Sequence, residues 1–460
     1  MEKLSIRDRW KREAGYGDLL RLAIPLIFST GSISVLLFVD RMFLSWYSED
    51  ALAAAVPAGM LNFSLMCFFM GTSLYTGTFV SQYMGANRPE RIGPSVGQGC
   101  YIALAGGVVL PLFAPFSTEI FALIGHDPEI QVLEAKYFSI LNLGAVFFLY
   151  NNVFSTFYSG RRKTWIVMWM NILMTVLNTG LDYVFIFGKL GVPEMGISGA
   201  AFASLISGAI VTCIYYFLVT QRKYDESYQT RSLWKVDKKL LKRMLKFGTP
   251  SGVHFFLDVM GFTIFVLFVG RIGALELTAS NIVLQINLVG FLPMIGMGIA
   301  TTIFVGRYQG AQNSMLAERS FYSALQLAVF HSSAMVAFYL FAPAVLITPF
   351  LTEATENAEA LKAMSIQLLK FIAAFTFFDT IAILVGAALK GAGDTRFVMK
   401  VLAFSSVLIL VLPTYLIVEV FNLSVHHAWA CATLNLIIVS LIFLMRFRSG
   451  KWKTIDVIEK

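Results

Sequence analysis

Charge is scarce in this sequence. Only 14% of its 460 residues are Asp, Glu, Lys or Arg, whereas 57% are AVILMFWYC and the mean hydropathy is +0.70. Soluble domains carry roughly a quarter charged residues, so the deficit excludes a disordered chain, a coiled coil and a soluble metabolic enzyme. Cysteine is scarce too. Cys67, Cys100, Cys213 and Cys431 stand singly in apolar runs without CxxC spacing, which argues against a disulfide scaffold or a thiolate metal site. No GxxxxGK[ST] run exists to cradle ATP, and no HExxH run exists to hold zinc. What remains is hydrocarbon, enough for about a dozen membrane spans of roughly 20 residues each.

The net charge of +8 invites a nucleic-acid reading, which the placement of the charges opposes. Basic residues gather before the first apolar run, on alternate connectors and in the tail, not along one face. Of 36 Lys and Arg, 29 fall on those segments, and nine of them lie in Gln221–Lys246. The opposite connectors carry Glu49, Asp50, Asp127, Glu129, Glu194, Glu353, Glu356 and Glu359. This asymmetry predicts an inner-membrane, multi-pass protein with both termini cytoplasmic. The beginning of the chain lacks the basic, apolar and small-residue succession of a cleaved signal.

Twelve apolar stretches are expected as helices, at roughly 20–47, 52–83, 94–124, 131–158, 164–187, 196–219, 247–270, 275–306, 319–350, 358–389, 396–420 and 424–446. Their ends are good to a few residues. The halves echo each other. Gln82-Tyr83-Met84-Gly85-Ala86 returns as Arg307-Tyr308-Gln309-Gly310-Ala311, and Tyr158–Thr164 returns as Leu389–Thr395. The offsets, 225 and 231, are nearly constant. The expected organisation is all-α, with six helices in residues 1–220, a basic linker 221–246 and six more helices in 247–460. Six-plus-six repeats are a transporter architecture.

An acid near the centre of a span costs roughly 2.5–3.5 kcal/mol, so each needs a reason. Asp40 lies 19 residues from Arg21, and Asp182 lies 19 from Lys163. Both sit ~28 Å from the basic end at 1.5 Å per residue. Asp258, 12 residues from Lys246, and Asp379, 11 from Lys390, sit at ~17 Å. The acids pair by depth, one pair per half. Asn171, Thr175, Asn178 and Asp182 share one helical face, offering hard oxygen ligands for Na⁺ or hydrogen-bond partners for a titrating carboxylate. Interhelical polar glue is the alternative, which suits Asn and Thr better than an acid. His254 stands one turn from Asp258, and Asn281 and Gln285 share a face of the eighth span. Phe and Met are plentiful enough to line an adaptable pocket for organic cations.

The chain resembles the multidrug and toxin extrusion (MATE) family over nearly its whole length. The resemblance rests on Leu22-Ala23-Ile24-Pro25-Leu26 with Val39-Asp40, on Asn178 and Asp182-Tyr183 leading to Gly196–Ser204, and on Gly248-Thr249-Pro250 with Asp258. Asp379, Leu389-Lys390-Gly391 and Gly393-Asp394-Thr395 complete it. It implies a non-enzymatic antiporter that exports drugs or organic metabolites, driven by Na⁺ or H⁺ and needing no other cofactor. The implied partners are a small organic, cationic substrate and the lipid bilayer, with neither nucleic acid nor an obligate protein partner. The resemblance also implies a cation-coupling site at Asp40, Asn178 and Asp182, with Ser204 in place of a frequent Thr and Thr175 alongside. A substrate or second cation site falls at Asp258 and Asp379, with His254, Asn281 and Gln285 nearby. Phe375 replaces a Tyr of that second site, and Arg41 beside Asp40 departs from the pattern. A lipid-linked oligosaccharide flippase of the same superfamily is the nearer alternative, though its basic cavity contrasts with the acids here. A membrane-embedded enzyme or receptor is the more distant one.

Overall fold

The computed structural model describes residues 6–351 and 357–459, so Lys3, Glu353, Glu356 and Lys460 of the charge pattern lie outside the described residues. No strand occurs among the described residues. Among the described residues, twelve helices are long and apolar enough to cross a membrane. In chain order they are α1 (Tyr16–Tyr47), α2 (Glu49–Gly85), α3 (Pro89–Leu123), α4 (Pro128–Ser159), α5 (Thr164–Ile186) and α6 (Ile197–Val219). The second six are α7 (Lys238–Ile272), α8 (Ala274–Gly310), α9 (Ser314–Phe341), α10 (Ala358–Ala392), α11 (Thr395–Val420) and α12 (Val425–Arg448).

One large departure from expectation is at α7, which begins nine residues early and takes in the basic run Lys238–Lys246. A capping residue explains this. Asp237 Oδ1 accepts from Leu240 N at 3.0 Å, and the Asp237 carbonyl accepts from Leu241 N at 2.8 Å, so the helix starts where its first donors are satisfied. Arg91 Nη2 also donates to Asp237 Oδ2 at 3.1 Å. The rest of the linker is ordered as a helix Arg222–Tyr228 and a 3₁₀ turn Thr230–Trp234. In α9 the helix stops at Phe341 because Pro343 cannot continue it, and a short helix Pro343–Ile347 follows. Pro413 likewise interrupts α11, where π-helical segments Ser406–Val411 and Leu416–Val420 flank it.

The chain forms two compact units. Unit 2 is Phe28–Phe256, and unit 1 combines Met1–Ile27 with Leu257–Lys460. The boundaries fall inside α1 and α7. In unit 2 a core of small residues, Ala51, Ala54, Ala58, Ala200 and Ala201, lets backbones approach around Leu44, Phe121 and Phe138. Asn62 Nδ2 donates to Asn142 Oδ1 at 3.1 Å, tying α2 to α4 within it. In unit 1 the core is larger in side chain, built on Phe265, Val283, Tyr339, Leu368, Ile372 and Trp429. Trp429 Nε1 finds Ser280 Oγ at 3.0 Å, which satisfies its one polar group.

Candidate functional site

Unit 2 brings four elements to one polar cluster. Asp40 lies on α1, Tyr137 on α4, Asn178 and Asp182 on α5, and Ser204 on α6. Asp182 and Asn178 are wholly buried, and Asp40 is 5% exposed. The Tyr137 hydroxyl donates to Asp40 Oδ2 at 3.2 Å. With its nitrogen turned toward the carboxylate, the Asn178 amide donates to Asp182 Oδ2 at 3.2 Å. It then accepts from Ser204 N at 3.3 Å and Ser204 Oγ at 3.2 Å. Each carboxylate keeps one oxygen, Oδ1, that is buried and has no hydrogen-bond partner. The two acids lie within electrostatic reach of one another, and Tyr137 within reach of both. Arg41 is exposed and acts on Asp40 only through its field.

Leaving a buried charged acceptor unmatched costs more than the roughly 1–3 kcal/mol of a neutral group. Two such oxygens in one apolar bundle are groups that could hold a cation. The donors around it, two carboxylates, an amide and hydroxyls, are hard oxygen chemistry and suit a proton or Na⁺ rather than a soft metal.

Thr175 lies on the expected face but spends its hydroxyl elsewhere, donating to Ser32 O at 3.0 Å and Asn171 O at 3.1 Å. Asn171 in turn donates to Ser29 Oγ. These two residues fasten α5 to α1 and are not joined by hydrogen bonds to the acids. Tyr137 was not legible as a site residue: one Tyr among the apolar residues of a span carries no signal of what its hydroxyl meets.

In unit 1, Asp258 is exposed and Asp379 is half-buried; His254, also half-buried, falls in unit 2. Asp258 lies within electrostatic reach of both Asp379 and Lys390. Lys390, which served the sequence reading only as a flank, is thus a cationic neighbour of these acids. Asn281 and Gln285 lie on an exposed face of α8 with Leu288 and Val289. A buried polar residue of that helix is Asn287, whose Oδ1 accepts from Thr376 Oγ1 at 2.7 Å. Phe375 packs against Phe262 and Trp429 with ring centroids 6.3 Å and 6.1 Å away, so it belongs to the aromatic core.

Gly93-Pro94-Ser95-Val96-Gly97 matches the letters of a nucleophile elbow. Ser95 is buried inside a helix and donates to Arg91 O at 2.7 Å, with neither the strand nor the sharp turn that such chemistry needs.

The family model MatE matches residues 25–184 and 250–416, well over half of the chain. A probable multidrug resistance protein NorM of Thermotoga maritima is 26% identical over 448 residues, covering 95% of this chain and 93% of the relative. A NorM of Bradyrhizobium diazoefficiens is 26% identical over 393 residues, covering 85% and 83%. Among solved structures, an outward-facing multidrug resistance MATE family transporter superposes with TM-score 0.85 at 21% identity, covering 99% of this chain and all of the other. A MOP superfamily transporter from Pyrococcus furiosus, its binding pocket described as of reverse polarity, gives 0.84 at 22% with the same coverage. The structural matches speak for the twelve-helix fold, and the family model and the relatives for descent. The chain belongs to the MatE family and is a multi-pass membrane transporter, not an enzyme.

Proposed function

We propose that this protein is a cation-coupled antiporter that exports organic, mainly cationic compounds, with both termini on the cytoplasmic side of the cell's inner membrane. The observation that carries the coupling assignment is the buried pair Asp40 and Asp182, each with an unpartnered Oδ1. One bound proton or Na⁺ changes the charge of that cluster by a full unit in a low-dielectric setting. Such a change is enough to bias two packings that differ by a few kcal/mol. Asn178, held by Ser204, orients Asp182, and Tyr137 orients Asp40. Asp258 and Asp379 supply the negative charge for a cationic substrate or a second cation, with Lys390 as an internal counter-charge. The resemblance of the two sequence halves supports alternating access between lobes 1–220 and 247–446. The relatives named for multidrug resistance favour efflux over flipping of a lipid-linked sugar.

The test is uptake of a labelled organic cation by proteoliposomes under an imposed Na⁺ or proton gradient. Asp182→Asn should abolish gradient-driven transport while leaving folding and insertion intact. Asp258→Asn should weaken cationic substrates more than neutral ones. Wild-type coupling in both Asp40→Asn and Asp182→Asn would remove the assignment.

A further inference from the structure

The basic linker is not slack chain. Its 3₁₀ turn Thr230–Trp234 is tied to α3: Tyr101 Oη donates to Trp234 O at 2.7 Å and Gln98 Nε2 to Lys235 O at 3.0 Å. Gly97 passes so near the Leu233 carbonyl that a Cβ there would clash with it. The helix Arg222–Tyr228 is held from the end of α4, where the Arg161 guanidinium lies over the rings of Tyr224 and Tyr228 at 4.7 Å and 4.2 Å. Between this pinned linker and the end of α6 lies a cleft of about 330 Å³, lined by Tyr216, Thr220, Thr230, Arg231, Leu233 and Trp234. That volume falls in the usual range of small-ligand sites, and the fastened walls mean that the cleft is formed before a ligand arrives.

The cleft is rich in donors that are poorly used. The Arg231 side chain is 65% exposed, and its ion pair with Asp225 is loose, Nε to Oδ2 at 3.7 Å. The other oxygen of Asp225 accepts from Arg231 N at 2.8 Å, so this neighbouring acid is committed to shaping the turn. Trp234 Nε1 reaches Tyr216 Oη at 3.4 Å, longer than the ~2.9–3.0 Å of an ordinary bond, and an anionic oxygen would accept better. Thr230 is wholly buried in the wall, and its hydroxyl has no hydrogen-bond partner. Thr220 differs, because its hydroxyl is spent on Tyr216 O at 2.8 Å. Toward the membrane the surface changes character. Ile210, Cys213 and Phe217 are exposed along one face of α6, which leads to Tyr216 and Thr220 of the cleft.

We propose that this cleft binds the phosphate headgroup of an anionic phospholipid from the leaflet at the basic end of the protein, with its acyl chains along the Ile210–Phe217 face of α6. The guanidinium fork matches a phosphate, and the half-exposed Trp234 and Tyr216 suit the interfacial depth at which a headgroup lies. Arg222, Lys223 and Lys235 beside the cleft favour an anionic head over a zwitterionic one. A soluble phosphate would gain nothing from the apolar face below. The site shares no residue with the Asp40–Asp182 cluster, and it stands whichever ion or substrate the transporter uses.

Native mass spectrometry of the full-length protein in detergent tests it, with three probes: phosphatidylglycerol, phosphatidylcholine of the same chains, and glycerol 3-phosphate. Phosphatidylglycerol should show one tight binding step, which Arg231→Gln weakens at least about fivefold, the factor for roughly 1 kcal/mol per basic residue near an anionic headgroup. Arg222→Gln removes the same charge from the same linker, but Arg222 pairs with Glu226 at 3.0 Å and does not line the cleft, so that step should be unchanged. Both guanidinium heads are mostly exposed, so neither change should disturb the fold. Equal weakening by the two substitutions would reduce the effect to surface charge and overturn the site. Equally tight binding of phosphatidylcholine would overturn the anionic assignment. Equally tight binding of glycerol 3-phosphate would assign the cleft to a soluble phosphate and overturn the lipid.

Discussion

At Asp40 one carboxylate oxygen accepts from Tyr137 and the other has no donor, so the side chain is half-satisfied. The Tyr137 bond stabilises the bare carboxylate and thereby competes with a bound cation. Tyr137→Phe removes that competition, worth about 1.5 kcal/mol for one hydrogen bond to a charged group, and should lower the half-saturating coupling-cation concentration about tenfold. Titration of transport against Na⁺ and against pH measures it, and weaker cation dependence in the variant would contradict this role. Asn178→Ala acts in the opposite sense, because it removes the one donor to Asp182 and leaves a cavity between α5 and α6. Maximal gradient-driven transport should fall by at least about tenfold with the protein still inserted. Depth arithmetic made Asp40 and Asp182 legible as candidates, since helical rise is regular enough to place two acids at one level from sequence. It could not show where the hydroxyl of Thr175 points, because the choice between the Ser32 carbonyl and the acids is set by how α1 lies against α5. Lys390 escaped for a related reason: a long side chain on a helix end reaches charges on a neighbouring helix, and sequence spacing records only its own.

Among the elements, the start of α7 is the most informative. The Asp237 carboxyl is held below its usual range chiefly by the backbone N–H of Leu240, against the opposing effect of burial, with Arg91 adding to the lowering. A lowered folded-state value means that the group stabilises the fold at pH above its unfolded value of 3.8, and that this contribution is lost as pH falls further. Protection of residues 238–244, taken against the intrinsic exchange rate at each pH, should therefore fall between pH 5 and pH 3, and Asp237→Asn should flatten the dependence, with the ends of the window set by the ordinary carboxyl range. At neutral pH Asp237→Ala should cost about 1 kcal/mol, the usual value of an N-cap. The turn after α10 gives a sharper case. Gly393 has φ +103° and a Cβ there would clash with Val457 Cγ2, so Gly393→Ala should destabilise by roughly 2 kcal/mol or more, read as a lower thermal midpoint in detergent. Helix existence was plain from hydropathy because lipid leaves the backbone few alternatives. Boundaries were less plain where a cap or a proline decides them. The basic run 238–246 reads as linker by charge, yet it is helix because Asp237 satisfies its first turn, and Pro343 ends α9 inside a stretch that is apolar throughout.

For the whole molecule, the 6+6 repeat was readable from two short echoes. What sequence did not convey is that the compact units divide inside α1 and α7, because contacts between helices far apart in sequence draw that line. α1 crosses the boundary between the units: its residues through Ile27 belong to unit 1 and the rest, with Asp40, to unit 2. The most direct test is the transport of a labelled organic cation by oriented proteoliposomes under an imposed cation gradient, comparing wild type with Asp182→Asn. Accumulation in the wild type should collapse with the gradient, and the variant should show none above the no-gradient level. Gradient-dependent accumulation of equal size in both would contradict the assignment of Asp182 to coupling.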